Sequence, residues 1–162
     1  MLLQKGKAME FVVVPQERRS PKLIEQLVGV WERSVRATHL FLTEEDILRI
    51  KEYVPQAMAA VDTLMVAEDD GASVAFMGVH EGVLEMLFID PAFRGRGFGK
   101  RLLSVGVREY DARELSVNEQ NPQAVGFYKH LGYEVFKRTE CDEQGDPFPL
   151  LYMRLPEDAP AF

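Results

Sequence analysis

Arg94-Gly95-Arg96-Gly97-Phe98-Gly99-Lys100-Arg101 (RGRGFGKR, residues 94–101) sets three alternating glycines among four cations, in a 162-residue chain whose net charge is -7. The stretch follows an apolar run ending in Ile89-Asp90-Pro91 and leads into Phe98, Leu102, Val105 and Tyr110, which recur at helical spacing. A strand, a loop and an amphipathic helix are therefore predicted in that order. Glycines let a backbone approach an anion closely, and the first unpaired N–H groups of a helix point outward with the positive end of its dipole. The stretch reads as a phosphate-type anion site. A P-loop ending at Gly99-Lys100 would need glycine at Arg94 and a hydroxyl residue at Arg101, and a dinucleotide fingerprint starting at Gly95 would need glycine at Lys100. Both patterns fail.

Working outward, residues 63–68, 73–79 and 83–89 are short apolar or alternating runs separated by Asp69-Asp70-Gly71 and His80-Glu81-Gly82, which predicts three hairpin-linked strands. Upstream, a short strand at 10–14 precedes Pro21 and a helical face of Leu23, Leu27, Val30, Trp31, Ser34 and Val35. Thr43 with Asp46 resembles a capping box opening a second helix that ends near Tyr53 and Pro55. Downstream come a strand at 114–117, a helix from Asn121-Pro122 to Leu131-Gly132, and strands at 133–141 and 150–155. The order is βααβββαβαββ. It specifies an α+β fold, a mixed and mostly antiparallel central sheet of about seven strands with helices on both faces and a right-handed crossover around the glycine-rich loop. Residues 9–156 are expected to form one domain, residues 1–8 a disordered extension and residues 157–162 a flexible tail.

The acidic balance argues against nucleic acid as a partner and favours a cationic one. Apolar stretches are short and interrupted by charge, so neither a membrane span nor a signal segment is predicted, and a cytoplasmic location is expected. The single cysteine, Cys141, excludes an internal disulfide and is expected to be a small semi-buried side chain. His80 and His130 make no metal-ligand spacing with it, so no metal is expected. The chain is expected to act as a monomer or homodimer.

The loop together with a later motif, Asn121-Pro122-Gln123-Ala124-Val125-Gly126-Phe127-Tyr128, resembles the GNAT superfamily of acetyl-CoA-dependent N-acetyltransferases. That family's signature, Gln/Arg-x-x-Gly-x-Gly/Ala, is met by Arg94, Gly97 and Gly99, and the resemblance runs from Glu10 to Leu155. Small bacterial members share the Trp31 to Phe41 segment and the QGDPFPLLYM ending. The resemblance implies transfer of an acetyl group from acetyl-CoA to a primary amine, on a small molecule or a peptide lysine, by direct attack in a ternary complex. A non-catalytic acyl-CoA sensor would keep the same loop.

By the same resemblance, Leu87, Phe88 and Ile89 would expose main-chain groups to the pantetheine arm, the Leu87 N–H holding the developing oxyanion. Arg94 and the N–H groups of Gly95, Arg96, Gly97, Phe98, Gly99 and Lys100 would hold the pyrophosphate. Asn121 would contact the cofactor arm as well as cap its helix, and Tyr128, two turns further on the same face, would protonate the leaving thiolate. Family members often carry a glutamate base on the strand before Asn121, but this chain has Ser116 there. Glu85, with the same strand parity as Leu87 and Ile89, is the leading candidate for the base, an ion-paired surface role being the alternative. Trp31, His39 and Phe41 are expected at the acceptor pocket, with His39 as base, acceptor ligand or plain loop residue.

Overall fold

The computed structural model describes residues 9–162, so the expectation for residues 1–8 lies outside the described part. Strand β1 (Glu10–Val13) is followed by α1 (Pro21–Thr38), α2 (Glu44–Lys51) and α3 (Val54–Ala60). Three strands in sequence follow, β2 (Thr63–Asp69), β3 (Ala72–His80) and β4 (Val83–Ile89), then α4 (Phe98–Tyr110), β5 (Glu114–Asn118), α5 (Pro122–His130), β6 (Glu134–Thr139) and β7 (Leu150–Arg154). The expected order is met with one addition. Pro55 is not a terminator but sits in the first turn of α3, where its missing N–H costs nothing, so a third helix follows α2 directly.

Local chemistry explains the helix starts. Ser20 accepts from the Leu23 N–H, Thr43 and Asp46 form the reciprocal capping box (3.1 and 3.0 Å), and Asn121 Oδ1 accepts from the Ala124 N–H at 3.3 Å. The seven strands form one open sheet in the order β1-β2-β3-β4-β5-β7-β6, antiparallel except where β4 and β5 run parallel. One face buries Met77, Leu84, Phe98, Leu102 and Leu103 under α4, and the other buries Leu27, Val30, Trp31, Met58 and Phe76 under α1 to α3. Arg19, 9% exposed, ties the second layer to the sheet: its guanidinium donates to the carbonyls of Val14, Met58, Ala59, Val61 and Asp62 at 2.6 to 3.3 Å.

Two features of β4 position the site. The parallel pairing with β5 covers only Val83 with Glu114 and Leu84 with Leu115, after which the strands part. Main-chain groups from Glu85 onward thus lose their partner on that side. A β-bulge against β3 also passes from the Met86 pairing directly to the Leu84 pairing, skipping Glu85. The bulge corrects the expected parity. Leu84, Leu87 and Ile89 pack toward α4, Met86 and Phe88 pack toward α1, and Glu85 borders the space beside Phe88 rather than sharing the face of Leu87.

Two other expectations change. Residues 157–162 are not a loose tail: Ala159 and Phe162 pack on the core and Ser104 Oγ donates to the Phe162 carbonyl at 2.7 Å. Cys141 is exposed rather than semi-buried, because it lies just past β6 in the loop back to β7. Among the described residues no helix is long and apolar enough to cross a membrane.

Candidate active site

The glycine-rich loop leaves β4 through a 3₁₀ turn at Pro91–Phe93, which Asp90 caps by accepting from the Ala92 N–H at 3.0 Å. Arg33 of α1 holds the same carboxylate at 2.8 Å, fixing the loop's first corner to the helix layer. Gly95 (φ +75°) and Gly97 (φ +81°) are left-handed, a conformation that costs other residues about 1–2 kcal/mol. Gly97 is the N-cap of α4 and makes no side-chain cap, so the first N–H groups of the helix face the loop. Backbone donors, the helix dipole and cations coincide there.

Three neighbouring cavities, sharing lining residues, open along the parted strands. A cleft of about 360 Å³ is bordered by Leu87, Phe88, Ile89, Arg94, Gly95, Gly97, Phe98, Gly99, Lys100, Asn121 and Tyr128, which brings together most of the residues expected to bind the cofactor. Arg96 and Arg101 turn aside: their guanidinium groups lie 5.0 Å from the Phe93 ring centre and 4.7 Å from that of Phe11. Ser34, Thr38, Gln123 and Phe127 also border the cleft, and none of them was expected there, although Gln123 and Phe127 lie within the 121–128 motif. Helical periodicity could have suggested Ser34 and Thr38, which fall one turn apart on α1.

A second cavity of about 330 Å³ lies on the other side of Phe88 and contains the three residues expected at the acceptor pocket, Trp31, His39 and Phe41. Trp31, 5% exposed, belongs to the α1 core and borders this space from there. Phe41 stands between the rings of His39 and Phe148, 5.5 Å from each. The loop after β6 closes the far wall with Asp142, Glu143, Asp146 and Phe148, and Arg49 of α2 clasps Asp146 at 2.7 Å. A slot of about 210 Å³ lies between β4 and β5 and shares lining residues with both cavities; Glu85, Leu87, Ser116, Asn118, Asn121 and Tyr128 border it. Phe88 and His39 border all three spaces.

The electrostatics follow from burial. Burial, with help from Glu143, pushes the Glu85 carboxyl above its ordinary value. Burial and then the Arg94 charge lower the His39 imidazole to about 4, so the half-buried ring is neutral at pH 7. Burial, with Tyr133 adding, raises the Tyr128 phenol, which stays protonated; its ring packs against Phe127 and Tyr133 at 5.2 and 5.9 Å. Among the described residues no three His, Cys, Asp or Glu side chains converge as a metal site.

Comparison with known proteins agrees with this geometry. Residues 35–155 match the acetyltransferase (GNAT) domain family. Over 132 residues the chain is 39% identical to the peptidyl-lysine N-acetyltransferase YjaB of Salmonella typhimurium, covering 82% of this chain and 91% of that protein. The solution structure of apo-form YjaB from Escherichia coli superposes with a TM-score of 0.78 at 36% identity, covering 91% of this chain and 97% of that one. The PaiA N-acetyltransferase of Thermoplasma acidophilum, solved with coenzyme A, shares the fold at a TM-score of 0.62 and 18% identity, over 91% of this chain and 99% of its own. An anion loop opening a helix, a sheet parted beside it and these relatives lead to one assignment: the chain belongs to the GNAT family, N-acetyltransferases whose acetyl donor is acetyl-CoA.

Proposed function

We propose that the acceptor is the side-chain amine of a peptide or protein lysine, and that residues 9–162 act as one cytoplasmic acetyltransferase domain. The observation that carries this reading is the composition of the second cavity. Trp31, Phe41 and Phe148 offer apolar walls suited to a four-carbon stem, while Glu85 and Glu143 offer carboxylates to the cation at its tip. The relatives' designation as peptidyl-lysine acetyltransferases supports the same acceptor.

In this reading the diphosphate of acetyl-CoA sits on the N–H groups of residues 95 to 100 with Arg94 and Lys100 beside it, and the pantetheine arm runs along Leu87 to Ile89 toward Asn121. The Leu87 N–H, on the unpaired stretch of β4, donates to the thioester oxygen as negative charge develops there. Glu85, with its raised pKa, is suited to take a proton from the incoming ammonium. Tyr128 stays protonated and donates to the departing thiolate.

Release of free thiol from acetyl-CoA, followed across lysine peptides, polyamines, aminoglycosides and free amino acids, tests the acceptor. Lysine peptides are expected to exceed the other amines by about tenfold or more in kcat/KM, a gap of about 1.4 kcal/mol. A polyamine or aminoglycoside matching them would overturn the assignment. Tyr128→Phe is expected to lower kcat by about 10²- to 10⁴-fold with acetyl-CoA affinity unchanged. Because Glu85 works deprotonated and its pKa is raised, the wild-type rate should fall as the pH drops through that pKa, and Glu85→Gln should remove this limb of the pH profile.

A further inference from the structure

The end of α1 presents a histidine whose tautomer is decided by its neighbour. Thr38 Oγ1 lies 2.8 Å from the Ser34 carbonyl oxygen, an acceptor with no proton to give, so the hydroxyl proton must fill that contact. The same oxygen lies 2.8 Å from His39 Nδ1. With its only proton already committed, the hydroxyl can act there solely as an acceptor. Nδ1 therefore bears the imidazole hydrogen, and Nε2 keeps its lone pair. The residue is anchored on other sides too: its main-chain N–H caps α1 through the Val35 carbonyl, and its ring packs against Phe41 at 5.5 Å.

The position suits proton transfer. Among the described residues, His39 is the one titratable side chain that borders the cofactor cleft, the acceptor cavity and the slot between them. Two protons must leave a lysine ammonium on its way to an amide. One departs before attack, and Glu85 borders the acceptor cavity and the slot where it would be removed. The other becomes labile only as the nitrogen lone pair forms the C–N bond, on the side nearer the thioester.

We propose that His39 Nε2 accepts this second proton, and that Thr38 is a positioning residue that holds the ring in the tautomer able to do so. The inference rests on the acetyl-transfer reading above. Its balance is simple: the C–N bond forms, the C–S bond breaks, the nitrogen's remaining excess proton passes to Nε2, and the thiolate receives a proton from Tyr128. The histidinium and tyrosinate are then restored by net transfer of one proton between them, the proton taken by Glu85 being the one released to solvent. Burial that keeps the ring uncharged supports the assignment, since a neutral imidazole alone offers a lone pair.

Long-range ¹H–¹⁵N spectra of the histidine rings read the tautomer without any acceptor present. In the free wild-type protein at neutral pH, His39 is expected to show a protonated Nδ1 and a bare Nε2; an Nε2–H tautomer would overturn the proposal. Thr38→Val, close in shape but without the hydroxyl, should shift the ring toward Nε2–H. It should also lower kcat at least about tenfold with the acetyl-CoA KM within about twofold, and Thr38→Ser should restore both. His39→Gln should lower kcat by about 100-fold or more, within the usual span of a general base. A Thr38→Val enzyme with wild-type kcat would also overturn the idea. Thermal melts identify a variant that has simply lost its fold, and Thr38→Ser then decides through its ring spectrum. If wild type acetylates no lysine peptide, the acceptor assignment fails while the ring spectra still judge this one.

Discussion

At Gly97 the backbone is left-handed and an added Cβ would meet no atom within 4 Å, whereas at Gly99 it would stand 3.2 Å from Ile89 Cδ1 and 3.4 Å from Phe127 Cζ. The first glycine serves the curvature of the loop and the second the close packing of α4 on β4 and α5. Gly97→Ala is therefore expected to raise the acetyl-CoA KM about tenfold while leaving the acceptor KM unchanged, measured from initial rates with each substrate varied in turn. A different residue contributes to the acid response. The His39 ring has an ordinary value of 6.5 and burial, then Arg94, lowers it to about 4, so the unfolded chain takes up a proton first as the pH falls. The stability it contributes is complete above about pH 6.5 and is lost as the pH falls toward 4. Denaturant titrations should show a decline of at most about 2 kcal/mol between roughly pH 6.5 and 5, and His39→Gln should flatten that slope. None of this was visible from letters: Arg-x-x-Gly-x-Gly named the loop residues, but not which glycine bends and which packs, nor where a threonine hydroxyl points.

The helices and strands were legible where periodicity and caps agreed, as with Thr43 and Asp46 or Asn121 and Pro122, because those signals act within one turn. They failed where a longer-range contact decided the outcome. Pro55 read as a stop, yet α3 persists because Val54 and Met58 are buried against α1 and Arg19 binds the carbonyls at its end. Replacing Arg19 by Met should leave those buried carbonyls unpaired and destabilise the fold by about 3 kcal/mol or more, read by denaturant melts. The bulge that turns Glu85 toward the second cavity was equally hidden, since parity assumes an unbroken pleat. Across that cavity, the Arg49 to Asp146 clasp joins α2 to the loop before β7 while partly exposed, so its stability contribution is small. Arg49→Gln should change stability by less than about 1 kcal/mol and raise the acceptor KM severalfold.

Across the chain as a whole, two halves of the sheet meet along a seam of only two residue pairs, Val83 with Glu114 and Leu84 with Leu115. On one side lie β1 to β4 with α1 to α3 packed beneath, and on the other β5, β7 and β6 with α5. The amide groups of a pantetheine arm laid along residues 87–89 would act as a substitute rung, closing a ladder that the polypeptide leaves unfinished. The donor would then be a mechanical part of the folded enzyme as well as its reagent. Acetyl-CoA at about 100 times its dissociation constant should add about 2.7 kcal/mol, a rise of about 5–10 °C in Tm. Amide hydrogen exchange should slow at the open edge of β4 and along β5 together, the two strands that part beyond that short seam.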